Sequence, residues 1–265
     1  MGPSFVMKIS SIRNDKVQLV RSLQSRRRTR QKEGLFVVEG VRLCQEAAKS
    51  QVAPEFVLYT PSIAGDPRVA VLLDTWTEAG VPCYEVSEAV MEACSDTETP
   101  QGVLAVVAQP ELPRLERPTL TLILDRLRDP GNMGTILRTA LAAGIDQVLL
   151  APGTVDATNP KVVRAGAGAH FRLPVAARSW DAIAQAVTGS RIFVAAAGGD
   201  QTYTEVDWRG PVALIVGGEA FGAGEEARIL AQGTVSIPMS SQVESLNAAI
   251  ATAVILFEIR RQRHL

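Results

Sequence analysis

Three stretches of the sequence set glycine beside side chains that can bind or position a nucleophile. "DPGNMGTILR" (129–138) follows an apolar run at 119–124, "GGEAFGAG" (217–224) follows another at 212–216, and "SIPMSSQVESLN" (236–247) leads into a long helical pattern. Glycines at strand ends suggest a phosphate cradle, but the chemistry around these argues against one. A dinucleotide site wants Gly-x-Gly-x-x-Gly and an acid about 20 residues on; the first stretch has only Gly131 and Gly134, and the next strand runs out at Leu150-Ala151-Pro152-Gly153 without a carboxylate. After the second stretch, Glu225 and Glu226 fall in the first turn of a helix, where they complement its dipole and repel a bound phosphate. Neither stretch is followed by Gly-Lys-Ser/Thr, so a P-loop is excluded. A phosphate-free ligand gripped through main-chain groups fits better, and S-adenosylmethionine, with its adenosine, amino acid and sulfonium, is of that kind.

The elements that must position these stretches follow from apolar periodicity. Strands are expected at 120–125, 147–151, 192–196, 212–216 and 235–237, with helices near 135–143, 159–165, 180–187, 225–231 and 246–261. That alternation predicts an α/β fold: a mostly parallel sheet with helices on both faces. Upstream, apolar runs at 35–38, 56–59 and 103–107 alternate with helical patterns at 41–50 and 69–79, which reads as a smaller α/β/α layer. Pro110, Pro113 and Pro118 deny the intervening stretch a continuous helix or central strand. The expected division is therefore an N-terminal domain over 1–110, a linker over 111–118 and a C-terminal domain over 119–265.

Composition narrows the partners. No apolar run approaches the roughly 18 residues that span a bilayer, and no apolar segment with a small-residue cleavage site opens the chain, so no membrane partner and a cytoplasmic location are expected. Cys44, Cys83 and Cys94 form no Cys-x-x-Cys pair and only His170 and His264 accompany them, so no metal is expected. The formal net charge of −1 conceals an asymmetry: residues 1–32 hold nine Lys or Arg and the single acid Asp15, a segment of +8 on a remainder of −9. Such a basic arm points to a polyanion, with Arg26, Arg27, Arg28, Arg30 and Lys32 its densest part; the alternative is a solvated helix face.

Asn132 and Arg138 in the first stretch, residues 217–222 in the second and 236–263 in the third resemble, in order over 119–263, the three motifs of the SpoU (TrmH-like) family of SPOUT RNA methyltransferases. The basic N-terminal part resembles the L30e-like domain that binds RNA substrate ahead of the catalytic domain in many ribosomal-RNA members. The resemblance implies a C-terminal trefoil knot, a homodimer through the C-terminal domain, and methylation of a ribose 2′-hydroxyl from S-adenosylmethionine. It assigns catalysis to Asn132, Arg138, Glu219, Ser245 and Asn247, and cofactor contacts, mostly main chain, to Ala196, Ala197, Gly198, Gly217, Gly218, Ile237 and Leu246.

A guanidinium, with its pKa above about 12, is a poor base, so Arg138 is assigned to the RNA phosphate and the developing alkoxide. Asn132 is expected to orient Arg138 or the ribose, to cap its helix, or both. Glu219 is expected to need Asn132 or Arg138 as partner. Ser245 is placed to cap the last helix, with Asn247 in its first turn; Leu246, Ile250, Val254 and Phe257 on that helix suit core or dimer packing. Ala220 departs from the family's usual glycine and leaves the second turn less permissive. Large-subunit ribosomal RNA is the expected substrate, because transfer-RNA relatives commonly lack the N-terminal domain and extend past the last helix. A transfer-RNA methyltransferase and a noncatalytic RNA-binding or ribosome-assembly protein remain the alternatives.

Overall fold

The computed structural model describes residues 7–113, 115–219, 222–240 and 245–263; Ala220 lies outside them. The chain clusters into two compact units, Met1–Pro110 with Thr158–Phe171, and Glu111–Ala157 with Arg172–Leu265.

The first unit contains β1 (Met7–Ile9), α1 (Asp15–Ser25), α2 (Arg27–Glu33), β2 (Leu35–Glu39), α3 (Val41–Lys49), β3 (Pro54–Tyr59), α4 (Pro61–Ala64), α5 (Pro67–Glu78), β4 (Cys83–Val86), α6 (Glu88–Cys94) and β5 (Val103–Ala108). Its sheet runs β1-β4-β3-β5-β2, with β5 antiparallel to both neighbours. Period-two alternation makes two cores from one sheet. Phe36, Val38, Val57, Val103, Ala105 and Val107 face one side with α3 and α5, whereas Val37, Phe56, Leu58, Leu104 and Val106 face the other with α1 and α6. The thiols of Cys44 and Cys94 sit in these cores, where burial pushes them up to about 12 and about 11, so they behave as small apolar groups.

Two sequence expectations change here. The basic segment is not a loose arm: Asn14 caps α1 by accepting from the Lys16 N–H, and Val17, Val20 and Leu23 bury one face of that helix. The helix expected near 159–165, α8 (Pro160–Gly166), groups with the first unit rather than with the second. Its Val163, and Phe171 just beyond it, complete the core over β2, with the Phe171 and Phe36 rings stacked at 6.2 Å.

The second unit contains β6 (Leu120–Asp125), α7 (Pro130–Ala143), β7 (Gln147–Leu150), β8 (Val175–Ala177), α9 (Trp180–Ala186), β9 (Arg191–Ala195), β10 (Gln201–Thr202), β11 (Val212–Gly217), α10 (Glu225–Leu230), β12 (Gly233–Ser236) and α11 (Ala248–Arg263). All seven strands are parallel, in the order β10-β12-β9-β11-β6-β7-β8. The central strands β6 and β11 are buried along their whole length, as a sheet covered on both faces requires. One face packs Ile123, Ile192, Val194, Ala213 and Ile215 against Ile183 and Ala227 from α9 and α10; α11 lies against α7 and β11. Among the described residues no helix is long and apolar enough to cross a membrane, and no group of three or more His, Cys, Asp or Glu is placed to hold a metal ion.

Candidate active site

The stretch at 130–134 is already helix. Asp129 is the N-cap of α7, with Pro130 at the first helical position, and its Oδ1 accepts from the Asn132 N–H at 2.6 Å. Proline suits that position because its absent N–H had no intrahelical acceptor there. The expectation that Asn132 caps the helix is therefore corrected, and the Asp129 carboxylate at the helix start disfavours a second anion there.

Freed from capping, the Asn132 amide spends both ends on the site. Its Nδ2 donates to Glu219 Oε1 at 2.9 Å, and its Oδ1 accepts from Asn247 Nδ2 at 2.9 Å. Asn247 Oδ1 in turn accepts from the N–H groups of Ala249 and Ile250 at 2.9 and 3.3 Å. Asn247, rather than Ser245, thus caps α11. Three residues separated by 87 and 115 positions in sequence form one chain of hydrogen bonds. Its polarity is fixed at both ends, by helix N–H donors and by a carboxylate acceptor, and that assigns both amide orientations.

This polarity makes Asn247→Asp informative. Aspartate keeps the cap but sets an acceptor against Asn132 Oδ1, and Asn132 cannot flip without turning its carbonyl on Glu219. We expect a melting temperature within a few degrees of the parent, measured by calorimetry, with turnover reduced on the order of tens of fold. Asn247→Ala should instead also cost about 1 kcal/mol of stability.

The second glycine stretch folds back on itself. A Cβ on Gly217 would lie 2.1 Å from Ala223 N and Gly222 C, and one on Gly218 would lie 2.4 Å from Arg126 O. These glycines let the turn close against protein backbone; the space a side chain would need is not left open for a ligand. Gly198, with φ +69 and nothing within 4 Å, is by contrast an open bend. Ala195 pairs with Val216 on one side and Val235 on the other, so residues 196–198, 217–218 and Ile237 emerge side by side at one end of the sheet. None of residues 196–200, 217–219, 222–224 and 236–240 is basic, a donor set suited to a phosphate-free ligand.

Arg138 lies on α7 six residues beyond Asn132, about 9 Å along the axis. It is exposed and makes no hydrogen bond or ion pair to any described residue. Side chains on a helix lean toward its N-terminus, which directs the guanidinium back toward the Asn132 end. Ser245 and Leu246 are exposed and likewise lack a hydrogen bond to described residues.

On the first unit, Arg26, Arg27, Arg28 and Lys32 are exposed, but Arg30 is 5% exposed and donates from Nη1 to Leu23 O at 2.6 Å. Arg30 therefore holds the corner between α1 and α2, which corrects its place among the RNA contacts. Asp125 and Arg126, at the end of β6, were not singled out from sequence. Asp125 is 1% exposed, with Oδ2 accepting from the Gly224 N–H at 2.6 Å, and so ties the second glycine turn to β6.

Comparison with known proteins places this geometry. The model of the SpoU rRNA Methylase family matches residues 119–257, and that of the MRM3-like substrate binding domain matches residues 14–105. The 23S rRNA (guanosine(2553)-2′-O)-methyltransferase RlmP of Bacillus subtilis is 36% identical, over 95% of this chain and 98% of its own. Human mitochondrial rRNA methyltransferase 3 is 31% identical, over 88% of this chain and 69% of its own. An AdoMet-bound rRNA methyltransferase from Sinorhizobium meliloti superposes with TM-score 0.84 at 30% identity, covering 98% of both chains. The SpoU methyltransferase AviRb of Streptomyces viridochromogenes, in complex with AdoMet, gives TM-score 0.83 at 30% identity, over 95% of this chain and 99% of that one.

Proposed function

Because the chain belongs to the SpoU rRNA methylase family, we propose that it methylates a ribose 2′-hydroxyl of large-subunit ribosomal RNA, with S-adenosylmethionine as donor. The observation that carries the reading is the chain Glu219–Asn132–Asn247, which fixes three motif residues at the C-terminal end of the parallel sheet. Bound S-adenosylmethionine supplies an electrophilic methyl group. The main chain at 196–198, Gly217, Gly218, Ile237 and Leu246 holds it.

Arg138 binds the RNA phosphate and stabilises the oxygen as it gains negative charge; a guanidinium donates only, so the phosphate it holds takes the hydroxyl proton. Glu219 and Asn132 are assigned to positioning, Glu219 Oε1 accepting from the Asn132 amide. Ser245 and Asn247 face the ribose or the methionine end. Holding the hydroxyl against the methyl carbon can itself supply several kcal/mol by effective-molarity reasoning.

The protein works as a homodimer in the cytoplasm, with the C-terminal chain threaded as a trefoil knot. Ile250 and Phe257, 53% and 49% exposed and seven residues apart on α11, support the dimer face, and β12 inserted between β9 and β10 supports the threading. Tritium transfer from labelled cofactor into ribosomal RNA, followed by mapping of 2′-O-methyl sites in cells with and without the protein, tests the activity. Cofactor binding without incorporation would favour a noncatalytic RNA-binding protein.

The exposed arginines of the first unit are expected to contact RNA. Deleting 1–32 would remove the buried face of α1 and unfold the unit, so the clean test is Arg26, Arg27 and Arg28 to alanine together. Affinity for ribosomal RNA should fall and the slope of log affinity against log salt should flatten by about 2, at unchanged melting temperature. An unchanged slope makes the cluster a solvated face.

A further inference from the structure

Arg126 is held in a way that an ordinary surface arginine is not. Its φ is +55, the left-handed region that a non-glycine residue seldom occupies. The position is enforced: its N–H donates to Thr154 Oγ1 at 3.0 Å, and that hydroxyl donates to Leu124 O at 2.9 Å. Three glycines make room for it, Gly153 beyond β7 and Gly218 and Gly224 in the stretch after β11. A Cβ on Gly153 would lie 3.1 Å from Arg126 Cγ, one on Gly218 2.4 Å from its carbonyl oxygen, and one on Gly224 1.4 Å from its Nη2.

Beneath it lies the buried Asp125, whose Oδ1 has no hydrogen bond and meets Arg126 Nε as an ion pair at 3.4 Å. The side chain is nonetheless 45% exposed, and neither terminal nitrogen hydrogen-bonds a described residue. Nη2 packs beside Gly224, and a half-exposed guanidinium with hydrogen-bonding capacity left on its terminal nitrogens is the group that takes a phosphate. Its backbone touches Gly218, the residue before Glu219.

We propose that Arg126 is a second RNA-backbone anchor of the methyl-transfer site, binding a phosphate near the target nucleotide while Asp125 orients it. This rests on the RNA methyltransferase reading above. Arg126→Gly is the direct test, because glycine takes φ near +55 freely, so the side chain is lost without backbone strain. In that variant the Kd for large-subunit ribosomal RNA should rise about tenfold at 0.15 M salt, and the slope of log Kd against log salt should fall by about 0.7 to 0.9. The S-adenosylmethionine Kd should stay within twofold. Arg126→Lys should restore the slope but only part of the affinity.

Should loss of the ion pair unfold the protein, the double variant Asp125→Asn, Arg126→Gly removes the unpaired carboxylate and must show the same RNA defect. Wild-type RNA affinity and slope in either folded variant would overturn the proposal and leave Arg126 as Asp125's counter-ion alone. A wild-type protein that binds and methylates RNA while the variants match it sinks only this inference. A wild-type protein that binds no RNA sinks the functional reading and this inference together.

Discussion

Arg138→Ala is expected to lower kcat for methyl transfer roughly a thousandfold, the scale for removing a charge-stabilising donor from a transition state, with S-adenosylmethionine affinity within a few fold. The structure separates this effect from stability. Arg138 is exposed on α7 and unpaired among the described residues, so truncation leaves no buried partner behind, and alanine is the better helix former. A melting temperature within a few degrees of the parent should accompany the loss. Arg138→Lys keeps the charge but not the planar fork, and should fall between the two. Stopped-flow or single-turnover methylation, with cofactor binding by calorimetry, reads both quantities; near-normal turnover in Arg138→Ala would remove the arginine from the mechanism.

The contrast between Arg138 and Arg126 shows what sequence can carry. Arg138 is visible because it stands at fixed spacing from Asn132 on one helix, and local spacing is what a motif records. Arg126 depends on Gly153, Gly218 and Gly224, which converge only after three separate strand ends are brought together, so no local pattern marks it. The buried strands were legible for a related reason: continuous apolar runs such as 212–216 are forced by burial on both sheet faces. The short strands β1, β4, β8 and β10, of two to four residues, carry no such run.

The misreadings at helix starts share one cause. Apolar periodicity begins this helix near 135, although Asp129 followed by Pro130 is itself a helix-start signal, and the Asp129 to Asn132 hydrogen bond sets the cap at 129. In the same way, Ser245 and Asn247 both satisfy the preference for a cap; the bonds to Ala249 and Ile250 select Asn247. Arg30 looked like its neighbours Arg26 to Arg28 because composition cannot say which side of α2 meets the core.

Gly217→Ala should weaken cofactor binding more than any other single methyl group added to the site. The added Cβ would run into the Gly222–Ala223 peptide, with Ala223 N and Gly222 C at 2.1 Å and Gly222 O at 2.5 Å, and no side chain can swing away to make room. Gly217 also closes β11 opposite Asp125 of β6, so the turn carrying Glu219 must move while its strand is held. Overpacking of this kind costs about 1–3 kcal/mol, or several degrees in melting temperature at this size. The displaced Glu219 should also lose Asn132, and S-adenosylmethionine affinity is expected to drop on the order of a hundredfold. Gly222→Ala is the matched control: its Cβ enters open space, and only its φ of +63 is strained. It should therefore lose about 1 kcal/mol of stability and keep most of its cofactor affinity. Calorimetric titration of the two variants decides the matter: if Gly217→Ala binds S-adenosylmethionine as Gly222→Ala does, the donor is held elsewhere than at the ends of β9, β11 and β12.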